Sequence, residues 1–190
     1  MSHPETADET AAQAVRRHHA QLAAELDQRV EALLRLVDDD DPYTAEEARQ
    51  DLLGHLRREI VPHALAEERA LYPAAAAEPE GRLLVDGMLG EHRALTALIG
   101  ELAATGSPVR AAAAGRALSA LFAVHLAKEN DLVLPLLVAA PGVSLAGILA
   151  GMHDLLGLPG PESVGAAQPA GGCGCGGCGC GGDQAGSPAS

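Results

Sequence analysis

The sequence predicts an all-α fold: an antiparallel up-down four-helix bundle with a short C-terminal packing helix and a disordered tail. Three observations carry this expectation. Apolar residues recur at spacings of three and four along four long segments, the period of one helix face. Aromatic residues make up only 2% of the chain, with no Trp, one Phe and two Tyr, while Ala, Leu, Glu and Arg dominate its first two thirds. Those side chains lose little rotamer freedom on a helix, and a ring-poor apolar core suits helix-on-helix packing. Short polar stretches join the segments, which makes consecutive helices antiparallel neighbours.

The first helix carries Val15, His19, Leu22, Leu26, Val30, Leu33 and Val37 on one stripe, and the run Asp38 to Asp41 with Pro42 ends it. Thr44 with Glu47 three residues on reads as a capping box for the second helix. Its stripe is Leu52, Leu56, Ile60, His63 and Glu67, with a kink expected at Pro62 and a stop near Pro73. The third helix starts near Gly81 with Leu84, Met88, His92, Leu95, Ile99 and Leu102, and Gly106-Ser107-Pro108 closes it. Ser107 is placed to cap the fourth helix, whose stripe is Leu118, Leu121, His125, Glu129 and Leu132.

Leu132 to Met152 holds no charged residue and is long enough to span a bilayer. Pro135, Pro141, Gly142, Gly147 and Gly151 interrupt it, so it reads as a helix end, a turn at Pro141-Gly142 and a short packing helix. The expected organisation is a bundle over residues 1–157 and a flexible Gly/Cys-rich tail over 158–190. A formal net charge of −13 gives no basic footprint for nucleic acid and repels anionic membranes. Met1 to Thr10 is polar and acidic, unlike a secretory signal, which predicts a cytoplasmic protein.

Each helix carries one histidine on its own apolar stripe: His19, His63, His92 and His125. Glu67 and Glu129 follow His63 and His125 by four residues, and residues four apart share a helix face. Leaving six such groups unpaired in an alanine–leucine core would cost many kcal/mol, and shared metal coordination removes that cost. The pattern His-x3-Glu-x5-Pro also occurs twice, 62 residues apart, once per helical hairpin. Two such halves suit two metals bridged by the two glutamates. Imidazole and carboxylate without thiolate favour iron, manganese or zinc.

The order His, His-x3-Glu, His, His-x3-Glu resembles the hemerythrin-like (HHE cation-binding) family. The second-helix stretch His63 to Pro73, the pair His19 and Leu22, and Glu91-His92 with Leu95 carry the likeness, which covers roughly Val15 to Leu136. The resemblance implies a non-haem di-iron site on His19, His63, Glu67, His92, His125 and Glu129, its two irons oxo- or hydroxo-bridged. It also implies handling of dioxygen, nitric oxide or peroxide. Oxygen-carrying members have a fifth histidine one turn after the third-helix ligand, where this chain has Thr96. That departure points away from plain oxygen carriage and toward the four-histidine bacterial members.

Other polar residues receive blander readings. His18 lies about 100° round the helix from His19 and reads as solvent-facing, replacing it only if the register shifts. His55 suits a role behind the ligands or on the surface, Glu68 and Glu91 suit solvated faces, and Tyr72 suits packing more than a hydrogen bond near the site. His3 and His153 stand apart from the stripes. The tail thiols Cys173, Cys175, Cys178 and Cys180 would suit a soft metal, but a redox-active or merely low-complexity tail is the favoured reading. The leading expectation is a di-iron protein binding dioxygen, nitric oxide or a related small ligand for sensing or oxidative and nitrosative protection, served by an unidentified electron donor. The alternatives are an enzyme turning over peroxide or nitric oxide, and a metal storage or delivery protein.

Overall fold

A computed structural model describes residues 6–156 and contains five helices over that range, with no strand among the described residues. His3 and the cysteine tail with Cys173, Cys175, Cys178 and Cys180 lie outside the described residues. The helices are α1 (Ala7–Asp38), α2 (42–77), α3 (Gly81–Ala104), α4 (108–139) and α5 (Leu145–Leu156). α1 packs on α2 and α4, and α3 on α2 and α4, so the first four helices close a bundle. α5 lies against α1 and the second half of α2. None of the described helices is long and apolar enough to cross a membrane.

Local sequence explains where each helix begins and ends. Thr6 opens α1 with a reciprocal box: its hydroxyl accepts the Glu9 N–H at 3.1 Å, and its own N–H donates to Glu9 Oε2 at 2.7 Å. The acidic run closes α1 as expected. Asp40 takes a left-handed conformation (φ 56°), and the Asp41 and Asp40 N–H groups return to the Leu36 and Val37 carbonyls. Asp41 then caps α2 by accepting the Thr44 N–H at 3.1 Å and the Thr44 hydroxyl at 2.7 Å. The cap is therefore Asp41 with Pro42 in the first turn, not the Thr44–Glu47 box that the sequence suggested. Ser107 caps α4 as predicted, and Gly142 (φ 81°) makes the turn before α5.

The internal prolines do not end their helices. α2 runs through Pro62 and Pro73 to Ala77, and α4 runs through Pro135 to Ala139. Each proline comes just after a widened π turn: Leu56–Ile60, Glu67–Leu71 and Glu129–Val133. A proline inside a helix lacks an N–H and crowds the carbonyl four residues back. In all three cases the residue just before the proline bonds one residue further back: Val61 to the Leu56 carbonyl, Tyr72 to Glu67 and Leu134 to Glu129. The extra residue in the turn makes room for the proline ring and re-aims the side chains beyond it. Leu132, expected on the inner stripe, consequently points outward at 50% exposed, and Val133 is buried in its stead.

Two apolar clusters fill the bundle. One contains Leu26, Leu33, Leu52, Leu56, Leu102, Leu118 and Phe122. The other contains Ala12, Leu71, Ala75, Met88, Leu134, Leu137, Leu145 and Met152. The stripe histidines sit between them: His19 lies between Ala12 and Leu22, His92 between Met88 and Leu95, and His125 between Phe122 and Val133.

The turn from α2 to α3 depends on one small residue. A Cβ added at Gly81 would collide with the Ala75 backbone carbonyl, which no rotamer change can move. Gly81→Ala should lower stability by about 1–3 kcal/mol, the usual cost of overpacking. Denaturant unfolding followed by circular dichroism checks this, and an unchanged midpoint would mean that the turn relaxes freely.

Candidate metal centre

All six stripe residues that the sequence singled out come together. His19, His63, Glu67, His92, His125 and Glu129 are between 0 and 6% exposed. Their ligand-type atoms form two groups, one of His19, His63, Glu67 and Glu129 and one of Glu67, His92 and His125. Glu67 belongs to both. Its Oε1 lies 2.8 Å from His63 Nε2 and 3.6 Å from His19 Nε2, while Oε2 lies 3.6 Å from His92 Nε2. Glu129 turns Oε2 toward His19 Nε2 at 3.7 Å and Oε1 toward His125 Nε2 at 3.5 Å. Each carboxylate thus spans the two groups.

His92 Nε2 and His125 Nε2 lie 3.1 Å apart, within hydrogen-bond reach of each other, but most of the other inward atoms have no such partner. His19 Nε2, His63 Nε2, both Glu67 oxygens and Glu129 Oε2 are buried without a hydrogen bond of acceptable geometry. Buried polar groups rarely go unsatisfied. Two donors about 2.1 Å from one ion and at right angles are about 3.0 Å apart, so the observed separations suit atoms aimed at common ions. The donor set and the orphaned atoms therefore fit a metal.

Electrostatics points the same way. Burial raises the Glu67 carboxyl, but the facing imidazoles of His63 and His19 outweigh it and hold it well below the usual range. Burial and the Glu67 charge hold Glu129 well above that range. The pair cannot both ionise without added positive charge. Burial also pushes His125 down to about 4, which keeps its lone pair free at neutral pH.

The outward nitrogens are held by residues that sequence reasoning placed elsewhere. Glu68 Oε1 lies 2.8 Å from His92 Nδ1, and Glu91 Oε2 lies 3.1 Å from His125 Nδ1, so neither glutamate belongs to a merely solvated face. Lys128 pairs with Glu91. Burial raises Glu91, but hydrogen bonds from Lys128 and His125 outweigh it and keep it below the usual carboxylate range. Asn130 Oδ1 lies 2.9 Å from His19 Nδ1. His18 is exposed, yet its ring meets that of His63 edge-on at 5.1 Å. Such partners fix the tautomer of a ligating histidine and raise its basicity.

Tyr72 is a further correction. It is buried, but its hydroxyl donates to Glu129 Oε1 at 2.6 Å and lies 3.3 and 3.4 Å from His92 and His125 Nε2. Burial, then the charges of Glu67 and Glu129, push its ionisation far upward, so it stays a donor. The π turn after Glu67 brings it round to the site. His55 is buried away from the six, with Nδ1 3.7 Å from Glu25 Oε2. Burial lowers its affinity for a proton.

The model of the hemerythrin HHE cation-binding domain matches residues 10–154. The chain belongs to the hemerythrin HHE family. No curated protein and no solved structure matches it. The family assignment agrees with the all-α bundle and with a buried His/Glu metal-binding cluster. The Thr96 hydroxyl donates to the His92 carbonyl at 2.9 Å.

The metal-free hemerythrin-type bundle should carry a measurable cost. A carboxyl whose folded pKa is raised destabilises the fold increasingly as pH rises above its unfolded value of about 4.5. Metal-free Glu129→Gln should melt above metal-free wild type, and the gap should widen from about pH 5.5 to 7.5. The same variant should lose metal affinity. A gap that stays constant with pH would mean that Glu129 is not held protonated.

Proposed function

We propose that the protein holds two iron ions between Glu67 and Glu129 and binds dioxygen, nitric oxide or a related small ligand, for sensing or for oxidative and nitrosative protection. The observation that carries this reading is the orphaned, inward-facing donor set in two groups that share Glu67. Four imidazoles and two carboxylates without a thiolate suit iron among the common metals. Bound there, an iron pair supplies an open coordination position and reversible one-electron chemistry.

The chain's own residues would do the rest. His19 and His63 would hold one ion and His92 and His125 the other, with Glu67 and Glu129 reaching both. Glu68, Glu91 and Asn130 keep the outward nitrogens of His92, His125 and His19 engaged, so that the Nε2 lone pairs of these three face inward. The two apolar clusters exclude water from the layer between them. Tyr72, protonated and buried on the His92–His125 side, would hold Glu129 in place by donating its hydroxyl proton to Oε1.

A pocket of about 60 Å³, lined by Ile60, Leu65, Glu68, His92, Leu95 and Thr96, reaches His92 from the side of Glu68. The protein would work in the cytoplasm, with an electron donor returning the site to its reduced state.

The test is anaerobic reconstitution with ferrous iron, followed by titration with nitric oxide and with air. Wild type should retain about two irons per chain and show a saturable, reversible absorption change, lost in Glu67→Ala and Glu129→Ala. Iron retained by both variants would contradict the reading. Sustained gas evolution from peroxide without a stable ligand-bound spectrum would favour the enzyme, and metal released by mild chelation would favour storage.

A further inference from the structure

The two halves of the site match in the groups that face inward and differ in the groups behind them. The repeat relating α2 to α4 at a spacing of 62 pairs His63 with His125, Glu67 with Glu129, and Pro73 with Pro135. It carries through to the structure, because Glu67 and Glu129 each begin a π turn. The same spacing pairs Glu68 with Asn130 and Tyr72 with Leu134. Glu68 backs His92 and Asn130 backs His19, so matched positions perform matched tasks with a carboxylate in one half and an amide in the other.

A second matched pair behaves alike. His18 and Glu91 each immediately precede a ligand-type histidine, His19 and His92, on α1 and α3. His18 sets its ring against His63, and Glu91 sets its carboxylate against His125. Behind His19 and His63 therefore stand an amide and an imidazole. Behind His92 and His125 stand two carboxylates, one of them paired with Lys128, and the Tyr72 hydroxyl lies on their inner side. Arg16 adds positive charge near the first half by donating to the Asn130 carbonyl at 2.9 Å.

We propose that these outer residues make the two metal positions unequal, so that the position at Glu67, His92 and His125 prefers the more highly charged ion. The inference rests on the two-metal reading above. A carboxylate behind an imidazole raises the basicity of the nitrogen facing the metal. Unit negative charge at short range also stabilises a trivalent ion more than a divalent one. Lys128 offsets part of the Glu91 charge, so Glu68, matched in the repeat by the neutral Asn130, is the main source of the difference. For an iron pair, these residues would set the reduction potential of the His92–His125 position below that of the His19–His63 position.

The test loads full-length metal-free protein with one equivalent each of gallium(III), supplied as citrate, and zinc(II), and locates them by anomalous diffraction at each edge. Gallium should occupy the His92–His125 position and zinc the His19–His63 position. The near-isosteric double variant Glu68→Gln/Asn130→Asp should shift the gallium ratio between positions at least tenfold toward His19–His63. Helical circular dichroism should remain unchanged, a combination that a merely structural role for these side chains would not produce. Gallium divided evenly in the wild type, or a ratio insensitive to the exchange, would overturn the inference while leaving the two-metal reading intact. A chain that takes up one ion in total would overturn both.

Discussion

Two carboxylates and four imidazoles converge inside a bundle whose other core residues are almost all Ala, Leu, Val and Met. Moving even one carboxylate out of water costs several kcal/mol unless charge and hydrogen bonds replace what water supplied. Glu67 and Glu129 face the same space, so the negative charge of each opposes ionisation of the other. The histidines relieve only part of this, since burial drives His125 toward neutrality. Cations between the carboxylates would relieve all of it at once. The remainder of the molecule can be understood as the frame that holds these six groups in register without cations and closes apolar layers above and below them.

The frame achieves this by departing from regular helix. In the two halves of the repeat a glutamate begins a π turn, and a proline stands six residues after the glutamate. The proline removes the option of continuing in α register, and the wide turn absorbs the missing bond. Adding one residue to a turn rotates everything beyond it by about 100°. That rotation brings Tyr72 over the site, turns Leu132 out to solvent and seats Val133 in the core. The prolines that look like helix ends in the sequence are, in the fold, what fixes the aim of the residues near the glutamates.

Much of this was legible in the sequence because a single period governs it. The stripes on the four helices put His19, His63, Glu67, His92, His125 and Glu129 on inward faces, where the fold brings them together, since nothing interrupts the α register between His63 and Glu67 or between His125 and Glu129. Legibility ended where that period breaks. Tyr72 is five residues beyond Glu67, which on an α-helix is about 140° away and on a π turn is nearly back in line. The duplicated proline was the available signal. Glu68, Glu91 and Asn130 were missed for another reason. Each lies beside a ligand-type residue on its own helix and serves the histidine of a neighbouring helix, a relation that no single-helix pattern contains. The Asp41 cap was hidden within an acidic run in which any member could have served.

Occupation of the space between Glu67 and Glu129 by two metal ions is the central claim. The most direct measurement is anomalous diffraction at the iron edge from crystals of the iron-loaded full-length protein. Two peaks should appear within the six-residue cluster, one beside His19 and His63 and one beside His92 and His125, with Glu67 reaching both. A single peak, or iron found only outside the cluster, would contradict the claim.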